Sequence, residues 1–301
     1  MSTFVPFQLI EAFGNRDFER LPESLRFDRH IKEEGKLYRL LLGTVNIQNT
    51  VTGEVFRQRT NYSILGTSTS TRFSYTLFRN PLSGGATIDN IDNYLSRSNP
   101  ANIPLFRDLI YEFCSYFYYR SKNMHTISFL HIYRILEKMS FTFPLLYASR
   151  ATDYTGAFSK LSSYFKTGNS ELNFFNMFIS DFFEQIFLDY RVKFSITAQN
   201  DDIKEIYFKL LKKLCVNSSP NITIVDSNEF SDITIANKDT INLLIHIRNR
   251  YFHFAAGGQR NIPSNEMIEA NDFYEFLNDQ FANWLSVIYF KIVKNSIDIY
   301  S

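Results

Sequence analysis

Between Glu171 and Tyr190 the chain carries adjacent apolar pairs: Phe174 and Phe175, Phe178 and Ile179, Phe182 and Phe183, Ile186 and Phe187. Each pair begins four residues after the one before, with Asn176, Asp181, Glu184 and Gln185 among them. A strand changes face at every residue, so this spacing suits only a helix, one with a wide apolar stripe that has to be covered. The spacing predicts a helix over 171–190 whose stripe is core or the face for a partner helix.

The same period recurs over 104–120, 126–140, 202–215, 239–256 and 270–297. The last of these sets Phe273, Leu277, Phe281, Trp284, Leu285, Ile288 and Ile292 along one side. Pro144 and Gly168 punctuate the middle, and 215–237 reads as a long connector with a short strand at Ile222–Val225. Upstream, 37–78 reads as strands: the run Leu37 to Leu42, a turn at Thr52-Gly53, then Val55, Phe56, Tyr62, Ile64, Phe73 and Tyr75. Turn residues crowd 80–100, which places a boundary near residue 100. The expected fold is mainly α, with a small N-terminal α/β module at 1–100 and a helical bundle at 101–301.

A length of 301 residues suits two domains or one domain with an appended module. With 45% hydrophobic and 21% charged residues the chain has the makings of a core, which excludes wholesale disorder. Lys+Arg (32) and Asp+Glu (31) leave +1, so no overall field draws the protein to nucleic acid or lipid, and only a local patch could. Cys114 and Cys215 have no CxxC partner, which excludes a disulfide scaffold and a thiolate zinc site. The first ten residues lack a secretory pattern, and no apolar run reaches the ~18 residues of a spanning helix. The expectation is a soluble cytoplasmic protein with no membrane partner.

Chemistry concentrates at one place. Asp239 is placed to cap a helix that runs through Leu243, Leu244, Ile245 and Ile247 and stops at Gly257-Gly258. Inside it lies Arg248-Asn249-Arg250-Tyr251-Phe252-His253. At ~100° per residue, Ile241, Leu244, Ile245, Arg248 and Phe252 share a stripe, so Arg248 takes a register otherwise given to burial and needs a partner. Arg248 and His253 stand ~140° apart around the axis, and meet only through long side chains or across two facing helices. No acidic residue lies between Asp239 and Glu266, whereas Arg248, Arg250 and Arg260 do, with His246 and His253: a local phosphate-attracting patch. His253 in the last turn is favoured as imidazolium by the helix's carbonyl end.

Arg248, polar Asn249, three residues and His253 resemble the R-x4-6-H motif of HEPN domains, helical modules whose active members are metal-independent ribonucleases. The resemblance implies a helical bundle, dimerisation through the motif helix and one cleft lined by both Arg/His sets. By that resemblance Arg248 would hold the scissile phosphate, His253 would move protons and Asn249 would orient His253 or the substrate. Arg250, His246 and Arg260 would extend the RNA-binding surface, with no cofactor and no metal. Ala255 stands where one toxin branch of the family carries a Tyr. The function so implied is an endoribonuclease of a toxin–antitoxin or antiviral abortive-infection system, acting through the ribose 2′-OH.

Two other functional readings accompany it: a catalytically silent HEPN adaptor that regulates an effector such as an NAD-consuming enzyme, and a plain RNA-binding module. For the motif itself the plain alternative is a buried Arg248 paired with a carboxylate and a His253 that caps carbonyls. His125 and His131 with Glu137 lack the spacing of a metal site and read as structural. Lys204, Lys209, Lys212 and Lys213 read as a solvated helix face, and no phosphate loop or nucleophile elbow is present.

Overall fold

The computed structural model describes residues 5–13, 19, 21–29, 31–69, 74–82, 86–149, 152–166, 171–252, 261–263 and 265–300. In chain order the elements begin with β1 (Phe7–Glu11), α1 (Glu33–Leu41), β2 (Val45–Asn49), β3 (Val55–Gln58), β4 (Thr60–Asn61) and β5 (Ser68–Thr69). They continue with α2 (Tyr75–Arg79), α3 (Ile88–Ser96), α4 (Ile103–Ser121), α5 (His125–Ser149), α6 (Tyr154–Lys166), α7 (Glu171–Phe182) and α8 (Gln185–Leu188). Then follow β6 (Arg191–Ser195), α9 (Asp201–Val216), β7 (Ile224–Asn228), β8 (Asp232–Ala236), α10 (Thr240–Phe252) and α11 (Ala270–Tyr300). The described chain is mainly helical, with three small antiparallel sheets.

The run Leu37 to Leu41, expected as strand, is helix. Leu37, Leu40 and Leu41 stand at i, i+3 and i+4 and are fully buried, and Glu33 and Glu34 suit the first turn. A contiguous apolar run does not separate a buried helix from a strand, and the acidic start was the available signal. Gly43 then turns the chain into β2 at φ +71, where an added Cβ would meet the Arg59 carbonyl carbon at 2.6 Å. Tyr75, also expected in a strand, opens α2, and Phe73 lies outside the described residues.

The chain forms two compact units, interleaved in sequence: 1–122 with 145–152 and 282–301, and 123–144 with 153–281. The first holds the sheet β1-β2-β3, paired Leu9↔Ile47 and Ile47↔Phe56. Here α1 packs on α4, Tyr62 meets Phe117 at 5.4 Å, and Tyr38 meets Phe290 of α11 edge-on at 5.0 Å. Asn283 fastens the loop after β4: its Nδ2 donates to the Tyr62 and Ile64 carbonyls, and its Oδ1 accepts from Gly66 N–H.

The second unit is not helical throughout, since it contains the sheet β6-β8-β7, with β7 near the expected strand and β6 and β8 in addition. Phe194 on β6 lies 5.6 Å from Phe281 on α11. The Phe-rich helix is broken: α7 ends at Phe182, Glu184 is extended, and α8 restarts at Gln185. Asn237 N–H donates to the Tyr190 carbonyl and its Nδ2 to that of Phe187, which satisfies the end of α8 from a distant segment. Helix α5 passes through Pro144 and continues to Ser149, beyond the expected end at 140.

Candidate functional site

The motif lies in the last turns of α10. A 3-10 turn, Asn237–Asp239, precedes the helix and ends on Asp239, the expected cap position. Its carboxylate accepts from Thr223 N–H at 3.3 Å, and burial pushes its pKa up. The buried residues of α10 are Thr240, Ile241, Leu243, Leu244, His246, Ile247 and Arg250, whereas Ile245, Arg248 and Phe252 are half-buried. The stripe assigned to burial from the sequence is thus turned toward 243, 247 and 250. Apolar residues on every face of this helix left its period without a single preferred side.

Arg248 is held from beneath by a ring: its Cζ lies 4.4 Å from the centre of Tyr133, a buried residue of α5. Its Nη1 donates to Asn249 Oδ1 at 3.0 Å, so Asn249 orients the guanidinium. No carboxylate among the described residues pairs with Arg248. The cation–π contact removes little of the positive charge, so the group keeps N–H donors for an anion. Phe252 stacks on Phe129 at 6.1 Å, and Tyr251 meets Tyr274 edge-on at 5.4 Å, which pins the helix end that carries the arginine.

His246 and Arg250, four residues apart, are turned to the buried side. Arg250 Nη1 donates to His246 Nε2 at 3.5 Å, so the imidazole accepts there and carries its proton on Nδ1. Burial, and then the neighbouring Arg250 charge, push the His246 pKa down to about 4. At neutral pH His246 is therefore uncharged. The Arg250 carbonyl accepts from Ile262 N–H at 3.1 Å. His253, Arg260, Ala255 and the Gly257-Gly258 stop lie outside the described residues.

The four lysines of α9 are met individually: Lys204 by Asp201, Lys209 by Glu205, Lys213 by Glu266, and Lys212 by the Phe208 ring at 5.9 Å. His125 opens α5 with Nε2 4.0 Å from Glu275, beside a cleft of 430 Å³ lined by Asn123, Gln199, Asn271 and Asp272. Among the described residues no three His, Cys, Asp or Glu side chains converge as for a metal ion. Cys114 and Cys215 are buried, and desolvation raises both thiols, Cys215 to about 12. Among the described residues no helix is long and apolar enough to cross a membrane.

Sequence reasoning singled out Arg248 and Asn249, which the structure brings together, but missed Tyr133. No local signal in the sequence links that ring to α10. No family model, no curated protein and no solved structure matches this chain.

Proposed function

We propose that the protein is a metal-independent endoribonuclease of the HEPN type, acting on RNA in a toxin–antitoxin or antiviral abortive-infection setting. The observation that carries this reading is an Arg248 guanidinium on the Tyr133 ring, oriented by Asn249 and without a carboxylate partner among the described residues. A structural arginine at this register would be expected to have its charge matched. In the proposed reaction Arg248 binds the non-bridging phosphate oxygens through two N–H groups. The ribose 2′-OH gives up its proton and its oxygen bonds to phosphorus; the bond to the 5′-oxygen breaks and that oxygen takes a proton. The products are a 2′,3′-cyclic phosphate and a 5′-hydroxyl, and His253 serves as proton carrier. His246, uncharged and buried beside Arg250, supports α10 from behind.

The dimer of this reading forms through α10, whose half-buried Ile245, Arg248 and Asn249 face away from the buried set. The test is cleavage of a labelled single-stranded RNA in EDTA, with the product ends identified. Strict dependence on Mg²⁺, or undiminished cleavage by both Arg248→Ala and His253→Ala, would refute it.

A second reading, the silent adaptor, draws on Tyr154 and Phe158, one turn apart on α6 and 79% and 73% exposed. In that case an effector should co-purify from the native host, be released by Tyr154→Glu with Phe158→Glu, and be indifferent to His253→Ala.

A further inference from the structure

We propose that the outer edge of β1 is a docking site for an extended peptide segment that carries a carboxylate, bound as a fourth strand. This inference is independent of the ribonuclease reading. In the sheet β1-β2-β3, strand β1 is terminal, and among the described residues no strand pairs with its outer side. Two hydrogen bonds set the phase. Thr50 N–H donates to the Pro6 carbonyl on the β1 side, and Asn49 N–H donates to the Glu54 carbonyl on the β3 side. With Phe7 opposite Asn49, alternation makes Gln8 and Ile10 the residues bonded to β2. The backbone groups of Phe7 and Leu9 therefore point outward, a ready template for another strand.

That edge borders a cleft of 520 Å³ lined by Phe7, Leu9, Phe27, Ile31, Ile110 and the rim residue Arg107, among others. A residue paired directly with Leu9 would place its side chain on the same face as Leu9, over this apolar floor, while its neighbours face water. At the rim, Glu33 and Lys36 neutralise each other at 2.9 Å. Arg107, exposed and without an ion-pair partner among the described residues, leaves the cleft positive. Backbone pairing, an apolar pocket for alternate side chains and one uncompensated cation together select an alternating apolar strand that ends in an acidic residue.

The experiment uses the ¹⁵N-labelled full chain and acetylated hexapeptides with Val, Ile or Phe at two alternating positions, Thr between them, and a C-terminal Glu with free carboxylate. Controls are the same peptides ending in Lys-amide, a copy N-methylated along one edge, and octanoate. The best acidic peptide should bind about tenfold tighter than its Lys-amide form at low salt. It should slow hydrogen exchange at the Phe7 and Leu9 amides relative to the protein alone. The copy methylated on the pairing edge should lose these effects, and Arg107→Gln should weaken the acidic peptide about threefold at unchanged melting temperature. Octanoate binding as tightly as the peptides would make this a cavity for small amphipathic acids and overturn the proposal. So would an Arg107→Gln protein that binds the acidic peptide unchanged, or no peptide protecting Phe7 and Leu9 at about 1 mM, the weak end of useful affinity.

Discussion

The Arg248 guanidinium rests 4.4 Å from the centre of the Tyr133 ring, so the charge of α10 is presented by an aromatic surface on α5. Such a contact contributes about 1 kcal/mol when partly desolvated. Tyr133→Phe keeps the ring and should retain RNA cleavage within about twofold, whereas Tyr133→Leu should lower it about tenfold. Single-turnover rates at saturating RNA check this; equal rates for the two variants would count against the perch.

Truncation of Arg248 itself should separate chemistry from folding. Because the side chain is half-buried and carries no ion pair, Arg248→Ala should cost about 1 kcal/mol of stability while reducing cleavage by at least about 100-fold. His253→Ala should match it in activity. Urea unfolding beside the cleavage assay gives both numbers, and a loss of activity that merely tracked unfolding would refute the assignment.

Acid should weaken the second unit through His246. Its folded pKa of about 4 lies below the ordinary value near 6.5, so on acidification the unfolded chain takes up its proton first. The contribution is whole above pH 6.5, declines as pH falls toward 4 and amounts to at most about 3 kcal/mol. Urea midpoints between pH 7.5 and 4 should fall less steeply in His246→Gln than in the wild type. Parallel curves would show that another group governs the acid limb.

Arg39 offers a contrast to Arg248. Its fully buried guanidinium is gripped by both Glu11 carboxylate oxygens and by the Leu25 and Thr44 carbonyls. Glu11→Ala strands that charge and should cost about 3 kcal/mol, read as a lowered urea midpoint without effect on the setting of Arg248. A shift below about 0.5 kcal/mol would mean that the carbonyls alone suffice.

The Phe-rich stripe should respond according to position. Phe175, fully buried, stacks near Phe178, and Phe183 meets Phe187 at 4.6 Å, so Phe175→Glu or Phe183→Glu should cost about 4 kcal/mol or more. Ile186, 84% exposed, should tolerate Glu within about 0.5 kcal/mol. Thermal melts decide this, and only the Ile186 variant is suited to asking whether the helix edge holds a partner.

Long regular stretches were legible because their apolar residues kept one period: 104–120 became Ile103–Ser121, 202–215 became Asp201–Val216, and 270–297 became Ala270–Tyr300. Where apolar residues crowd every face, as in α10, the period no longer selects a side, and the buried side of His246 and Arg250 went unread; in α1 the contiguous run from Leu37 masked the i, i+3, i+4 spacing. The end of α8 is satisfied by Asn237, and Arg248 is set on Tyr133. Both are made by residues distant in the chain, which local patterns do not encode.

Interleaving has a consequence for synthesis. The loop after β4 is tied by Asn283, the Glu34 carbonyl accepts from the Tyr289 hydroxyl, and Tyr38 packs on Phe290. On the ribosome the strands and helices of 1–122 are made well before these partners emerge, and the first unit stays unfinished until 282–301 has cleared the exit tunnel. Premature termination anywhere before Ala282 therefore leaves the N-terminal core open, however much of the chain has been made.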